Sequence, residues 1–174
     1  MKAILHVLPV LLISFPFFSP AQEEAKPDPY PCLKNEEARR FDFWIGTWDV
    51  YQGDKKVGES RITMAKGGCA IHESYATAGA YAGQSMNYYD PIDACWKQNW
   101  VGSSGDVTTY EELKGEGDMG FIARHMNRQG KIIQRRMVFF YQKEADAVRQ
   151  LIEDFDEKSA SWKVVFDGKY VRVE

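Results

Sequence analysis

From residue 46 to residue 173 the chain is cut into ten short runs, and no connection between them is long enough to hold a helix. The runs cover residues 46–52, 57–65, 69–77, 85–89, 95–102, 107–113, 119–127, 132–142, 148–156 and 162–173. Between them stand clusters such as "GDKK" at 53–56, "KGG" at 66–68, "DPID" at 90–93, "GEGD" at 115–118 and "RQG" at 128–130. Gly, Asp and Asn in such clusters supply the backbone angles of tight hairpins. Parallel pairing would need crossover connections of a dozen or more residues, so the strands must be antiparallel and mostly sequential neighbours. A meander of about ten strands has two edges to protect. Closure into a barrel removes both, whereas a sandwich only covers them. An all-β antiparallel barrel is therefore predicted, with a sandwich as the alternative. A short helix ahead of it, through Glu36–Arg39, has Asn35 as its cap and acids in its first turn.

The segment before the barrel divides in two. Residues 1–21 carry Lys2, an apolar run from Ala3 to Phe18 and then Ser19 and Ala21 at the small-residue positions of a cleavage site. That is the pattern of a secretory signal peptide, and the run is too short and too proline-interrupted for a membrane anchor. Residues 22–34 are polar and proline-rich and read as a flexible leader, which leaves 35–174 as a single barrel domain. The chain has 22 Lys and Arg against 25 Asp and Glu, and only Lys2 is lost with residues 1–21, so the mature form carries −4. Without a basic run it offers no footprint for nucleic acid or an anionic membrane. The expected partner is a small molecule, in the periplasm or outside the cell.

Export makes a disulfide the expected fate of two of the three cysteines, Cys32, Cys69 and Cys95. Spacing alone does not say which two. No C-x-x-C or H-x-x-x-H spacing points to a metal.

Alternation then sorts the strands into faces. The repeating face of 85–101 carries Ser85, Asn87, Tyr89, Trp96, Gln98 and Trp100 rather than aliphatics. Ser60, Ile62 and Met64 are expected inward on the second run, and Cys69, Ile71, Glu73 and Tyr75 on the third. Met119, Phe121, Ala123 and His125 turn inward on the seventh, and Ile133, Arg135, Met137, Phe139 and Tyr141 on the eighth. On the ninth, either Arg149 or Gln150 can point in.

An interior with Trp48, Glu73, His125 and Arg135 as well as the amides costs about 1–3 kcal/mol for each polar group left unpaired. Two solutions exist. The groups satisfy one another, with Glu73 paired to Arg135, or they surround a ligand. The aromatic and amide pattern favours the second. In that reading Trp48, Trp96 and Trp100 wall an apolar or aromatic ligand, and Asn87, Gln98, Tyr89 and Arg135 orient its polar atoms. A barrel enzyme of isomerase, cyclase or hydrolase type, with Glu73 or His125 as base, is the second alternative, and a module with no ligand the third. No G-x-S-x-G elbow, P-loop, H-E-x-x-H or dinucleotide glycine pattern occurs, so no catalytic residue is assigned.

Gly46-Thr47-Trp48 resembles the G-x-W signature on the opening strand of calycin barrels: lipocalins, fatty-acid-binding proteins and the nitrobindin-like group. In that fold the tryptophan plugs one end. A wider ordered pattern runs from "PC" at 31–32 through "FDFWIGTWDV" at 41–50 and "GGCAIHE" at 67–73. It continues as G-x-S-x-N-x-Y-D at 83–90, W-x-Q-x-W-V at 96–101, "VRQ" at 148–150 and "FDGKY" at 166–170. Together these resemble an uncharacterised family of secreted bacterial proteins. The resemblance implies a Cys32–Cys69 disulfide with Cys95 free, and it carries no activity. No cofactor is expected. The nitrobindin likeness raises haem, which would need a lumen-facing histidine; alternation leaves His125 for that role and places His72 outside.

Overall fold

A computed structural model describes residues 28–127 and 129–173. Residues 1–21, expected as a signal segment, and residues 22–27 of the expected leader lie outside the described residues, as do Arg128 and Glu174. Ten strands follow one another: β1 Gly46–Gln52, β2 Lys55–Met64, β3 Ala70–Thr77, β4 Ala82–Asp90, β5 Cys95–Gly102, β6 Val107–Glu112, β7 Met119–Met126, β8 Ile132–Gln142, β9 Ala147–Asp156 and β10 Ser161–Arg172. Each pairs antiparallel with the next, and β10 pairs back onto β1, from Trp48 opposite Arg172 to Tyr51 opposite Lys169. The sheet closes and no edge is left, which is the barrel rather than the sandwich. Register shifts after Val50 and after Val164 add the local twist that closure requires.

Alternation separates two environments along every strand. The outer wall carries ion pairs such as Lys56–Asp49 at 2.7 Å, Arg136–Glu153 at 2.6 Å and Arg149–Asp167 at 2.7 Å. Among the described residues no helix is long and apolar enough to cross a membrane.

The segment before β1 closes one end of the barrel. The short helix expected around Glu36 is present as a 3-10 turn, Glu37–Arg39, with two more, Pro31–Lys34 and Asp42–Trp44, on either side of it. Asn35 does cap the start of Glu37–Arg39, accepting the Glu37 N–H at 3.0 Å. Phe41 and Trp44 enter the barrel end and are fully buried. Phe41 stacks on Trp44 with ring centroids 4.9 Å apart and meets Trp96 and Phe139 edge-on at 5.6 and 4.9 Å. Backbone carbonyls of the plug accept the indole N–H groups of the wall: Trp48 to Trp44 at 2.9 Å and Trp96 to Glu37 at 2.8 Å. Arg172 lies 4.1 Å over the Trp48 ring and donates to the Ile45 carbonyl at 2.8 Å. Arg40 reaches the buried Glu112 carboxylate. A Cys32–Cys69 disulfide ties the outermost turn to the start of β3, and Cys95 is free. Residues 31–34 of the expected leader are thus part of the folded plug.

Candidate functional site

The two triplets of β4 and β5 meet as three cross-strand rows: Tyr89 opposite Trp96, Asn87 opposite Gln98, and Ser85 opposite Trp100. Each row sits at a different depth in the barrel, and the depths have different chemistry.

The row nearest the plug belongs to the core. Trp48 and Trp96 are buried against Phe41 and Trp44, with their indole nitrogens bonded to plug carbonyls, and Tyr89 is half-buried at that rim. The closed half of the barrel interior is lined and filled by buried aromatic residues, with Phe121, Phe139 and Tyr170 completing the set.

The middle depth is a polar belt whose members hydrogen-bond to one another. Gln98 donates to Asn87 Oδ1 at 2.6 Å, Asn87 donates to Ser85 Oγ at 2.9 Å and to the Ile71 carbonyl at 3.2 Å, and Ser85 donates to Glu73 Oε2 at 2.9 Å. Ser60, from β2, donates to the other Glu73 oxygen at 2.9 Å. On the far wall Tyr170 donates to Gln150 at 2.7 Å, so Gln150 rather than Arg149 points in, and Arg149 pairs with Asp167 outside. Among the described residues the buried side-chain atoms without a partner are Asp42 Oδ1 and Trp44 Nε1, both in the plug and neither in the belt. The pairing of Glu73 with Arg135 considered from the sequence does not form. Arg135 lies on β8, where it grips Asp154 of β9 through two bonds of 2.6 and 2.9 Å, while Glu73 receives only hydroxyls. Glu73 is 3% exposed, and burial pushes its carboxyl up to about 7 although the two serine donors pull the other way.

Beyond the belt the inward residues become less buried. Tyr75, Trp100, Ile133, Arg135, Ile152, Asp154 and Phe166 are all only half-buried here, whereas the inward residues deeper in are buried. Trp100 donates to Asp106 at 3.1 Å, as do Tyr81 at 3.0 Å and Ser104 at 2.6 Å. Burial opposes ionisation of Asp106, but these donors outweigh it and hold the carboxyl below its usual range. Burial pushes the Tyr110 phenol up to about 12 even with Arg135 beside it. His125 shares a hydrogen bond with Thr108 through Nδ1 at 2.9 Å; burial and the nearby Arg135 lower its pKa. That contact spans β6 and β7 beyond the end of their ladder, which stops at Tyr110–Ala123. A solvent-open depression of about 510 Å³ lies over this part of the outer wall and reaches the inward-facing Ala123.

Three aromatic rings at the mouth lie against glycines. A Cβ on Gly83 would stand 2.1 Å from the Trp100 ring, one on Gly58 would meet Tyr75 Oη at 2.9 Å, and one on Gly168 would meet the Phe166 ring at 2.3 Å. With hydrogen in place of a side chain at these positions, the rings can lie close against the wall. Sequence reasoning gave these glycines no role. The available signal was a glycine on the inward parity of an otherwise well-formed strand. Gly83→Ala is expected to lift the Trp100 ring, destabilise the fold by about 1–3 kcal/mol and shift Trp fluorescence. Unchanged stability and emission would mean that the ring does not rest on Gly83.

Two further expectations give way. Met64 is 38% exposed rather than inward, because the barrel interior ends at Ile62 and the plug begins there. Cys69 lies in the exposed turn before β3, drawn outward to its disulfide.

No family model matches the chain, and no curated protein does. The resemblance drawn from the sequence therefore rests on the closed antiparallel barrel, which is consistent with a calycin-like fold. His125 faces the lumen as a haem ligand would, yet its surroundings do not fit the group. The Nδ1 contact with Thr108 leaves Nε2 for a ligand, but the charged Arg135–Asp154 pair lies close enough to influence its titration. A haem needs a broad apolar slot at that point.

Proposed function

We propose that this chain is an exported small-molecule-binding barrel that takes an apolar or aromatic ligand into the mouth half of its interior. The observation that carries the reading is the set of glycine-backed rings, Trp100, Tyr75 and Phe166. Aromatic rings around a mouth, over a floor of hydrogen-bonded polar groups, are the lining of a binding site rather than of a packed core. Trp100, Arg135 and His125 are the candidate site residues at this depth. Glu73, Ser85, Asn87 and Gln98 form its floor, while Trp48, Trp96 and Tyr89 support it from the plug side. The residue 1–21 pattern and the Cys32–Cys69 disulfide support an oxidising compartment.

Native mass spectrometry of the full chain exported into a bacterial periplasm tests the reading. A non-covalent adduct is expected on the wild type and is lost in Gly83→Val, whose side chain drives Trp100 across the lumen. A bare wild-type mass, together with no quenching of Trp fluorescence by a panel of small aromatic compounds, would overturn it.

A further inference from the structure

Charge in the lumen does not balance. Among the described residues Arg135 is spent on Asp154 through two bonds, and Asp106, although it has no cation either, has most of its acceptor positions taken by Ser104, Tyr81 and Trp100. His125 is held toward its neutral form. Lys163 stands opposite Asp154 at the rim and is exposed. The tyrosines that face inward, Tyr75, Tyr110 and Tyr170, all have pKa values raised by burial and are uncharged near neutrality. That leaves Glu73, a buried carboxylate that receives two hydroxyl hydrogen bonds and has no cationic partner. A carboxylate has about four acceptor positions, so roughly half of its capacity is unused.

Its neighbours give this imbalance a direction. Glu73, Ser85 and Trp100 stand in one cross-strand row, and Tyr75 and Gly83 form the next row toward the mouth. The Tyr75 and Trp100 rings, 6.4 Å apart, are therefore its aromatic neighbours in that row and the next, and Glu73 is close enough to Tyr75 to help raise its pKa. Ring faces attract cations, and a desolvated carboxylate attracts them more strongly. We propose that the ligand is an organic ammonium with an aromatic or apolar body, its nitrogen lying between Glu73 and the Tyr75–Trp100 pair and its body against Phe166 and Ile152. This inference rests on the lumen being a binding site, as proposed above.

Three probes that share a phenyl ring and differ in charge separate the two ideas: phenethylamine, phenethyl alcohol and hydrocinnamate, titrated calorimetrically into the full chain. The amine is expected to bind about tenfold more tightly than the alcohol, with hydrocinnamate weakest. Binding a cation favours ionised Glu73. The amine affinity should therefore rise about tenfold between about pH 6 and about pH 8, while the alcohol affinity stays level. A primary alkylammonium stays protonated across that span. Glu73→Gln should erase both the amine preference and its pH dependence and keep alcohol binding. If that variant does not fold, the contrast between amine and alcohol pH profiles in the wild type decides the matter. Alcohol binding as tight as amine binding, or an amine affinity flat with pH, overturns the cation assignment and leaves the lumen site standing. If none of the three binds, the lumen reading fails and this inference falls with it.

Discussion

Replacing Phe41 by alanine is expected to cost about 3–5 kcal/mol of folding stability, measured by chemical denaturation with the denaturant slope unchanged. Phe41 is fully buried and its ring touches those of Phe43, Trp44, Trp96, Phe121 and Phe139. These neighbours come from the plug and from three strands of the wall, and a cavity among them has little means of collapsing. The Cys32–Cys69 bond would still tether the segment, so the loss isolates packing from tethering. A cost under about 1 kcal/mol would mean that the plug is not docked in the barrel end.

The second large effect concerns pH. Glu73 has its pKa raised by burial from an ordinary 4.5 to about 7, so the native state holds this proton more tightly than the unfolded chain does. The stabilisation is full below the unfolded value and is lost as pH rises through the folded one. Folding stability should therefore fall by about 3 kcal/mol across that window. In Glu73→Gln the fall should disappear, because a glutamine can accept from one serine through Oε1 and donate to the other through Nε2 without ever carrying the charge. A wild-type stability that rises through the same window, or a slope untouched in the variant, would show that Glu73 is ionised in the fold with a partner of its own.

Much of the architecture was legible in the residues. Turn clusters placed all ten strands, and alternation put Ser60, Glu73, Phe121, His125 and Met137 on the inside, where they are found. The failures cluster at strand ends, as with Met64 and Cys69, where no neighbouring strand continues and the plug or a covalent bond takes over. The two 3-10 turns that flank the expected helix were also beyond reach. Their conformation follows from docking Phe41 and Trp44 into the barrel end and not from local propensity.

What the sequence determined by itself was therefore the side of the wall on which a residue lies, because a two-residue period and a tight turn are local properties. Depth along the barrel axis was decided only by the tertiary structure. Ser85, Asn87 and Tyr89 look equivalent in one dimension. In the closed sheet they stand at the mouth floor, in the belt and against the plug, since depth depends on the stagger between strands far apart in the chain. The same cause explains Glu73 and Arg135. Both point inward, but closure sets them on different walls, so Arg135 is gripped by Asp154 and Glu73 receives only the hydroxyls of Ser60 and Ser85.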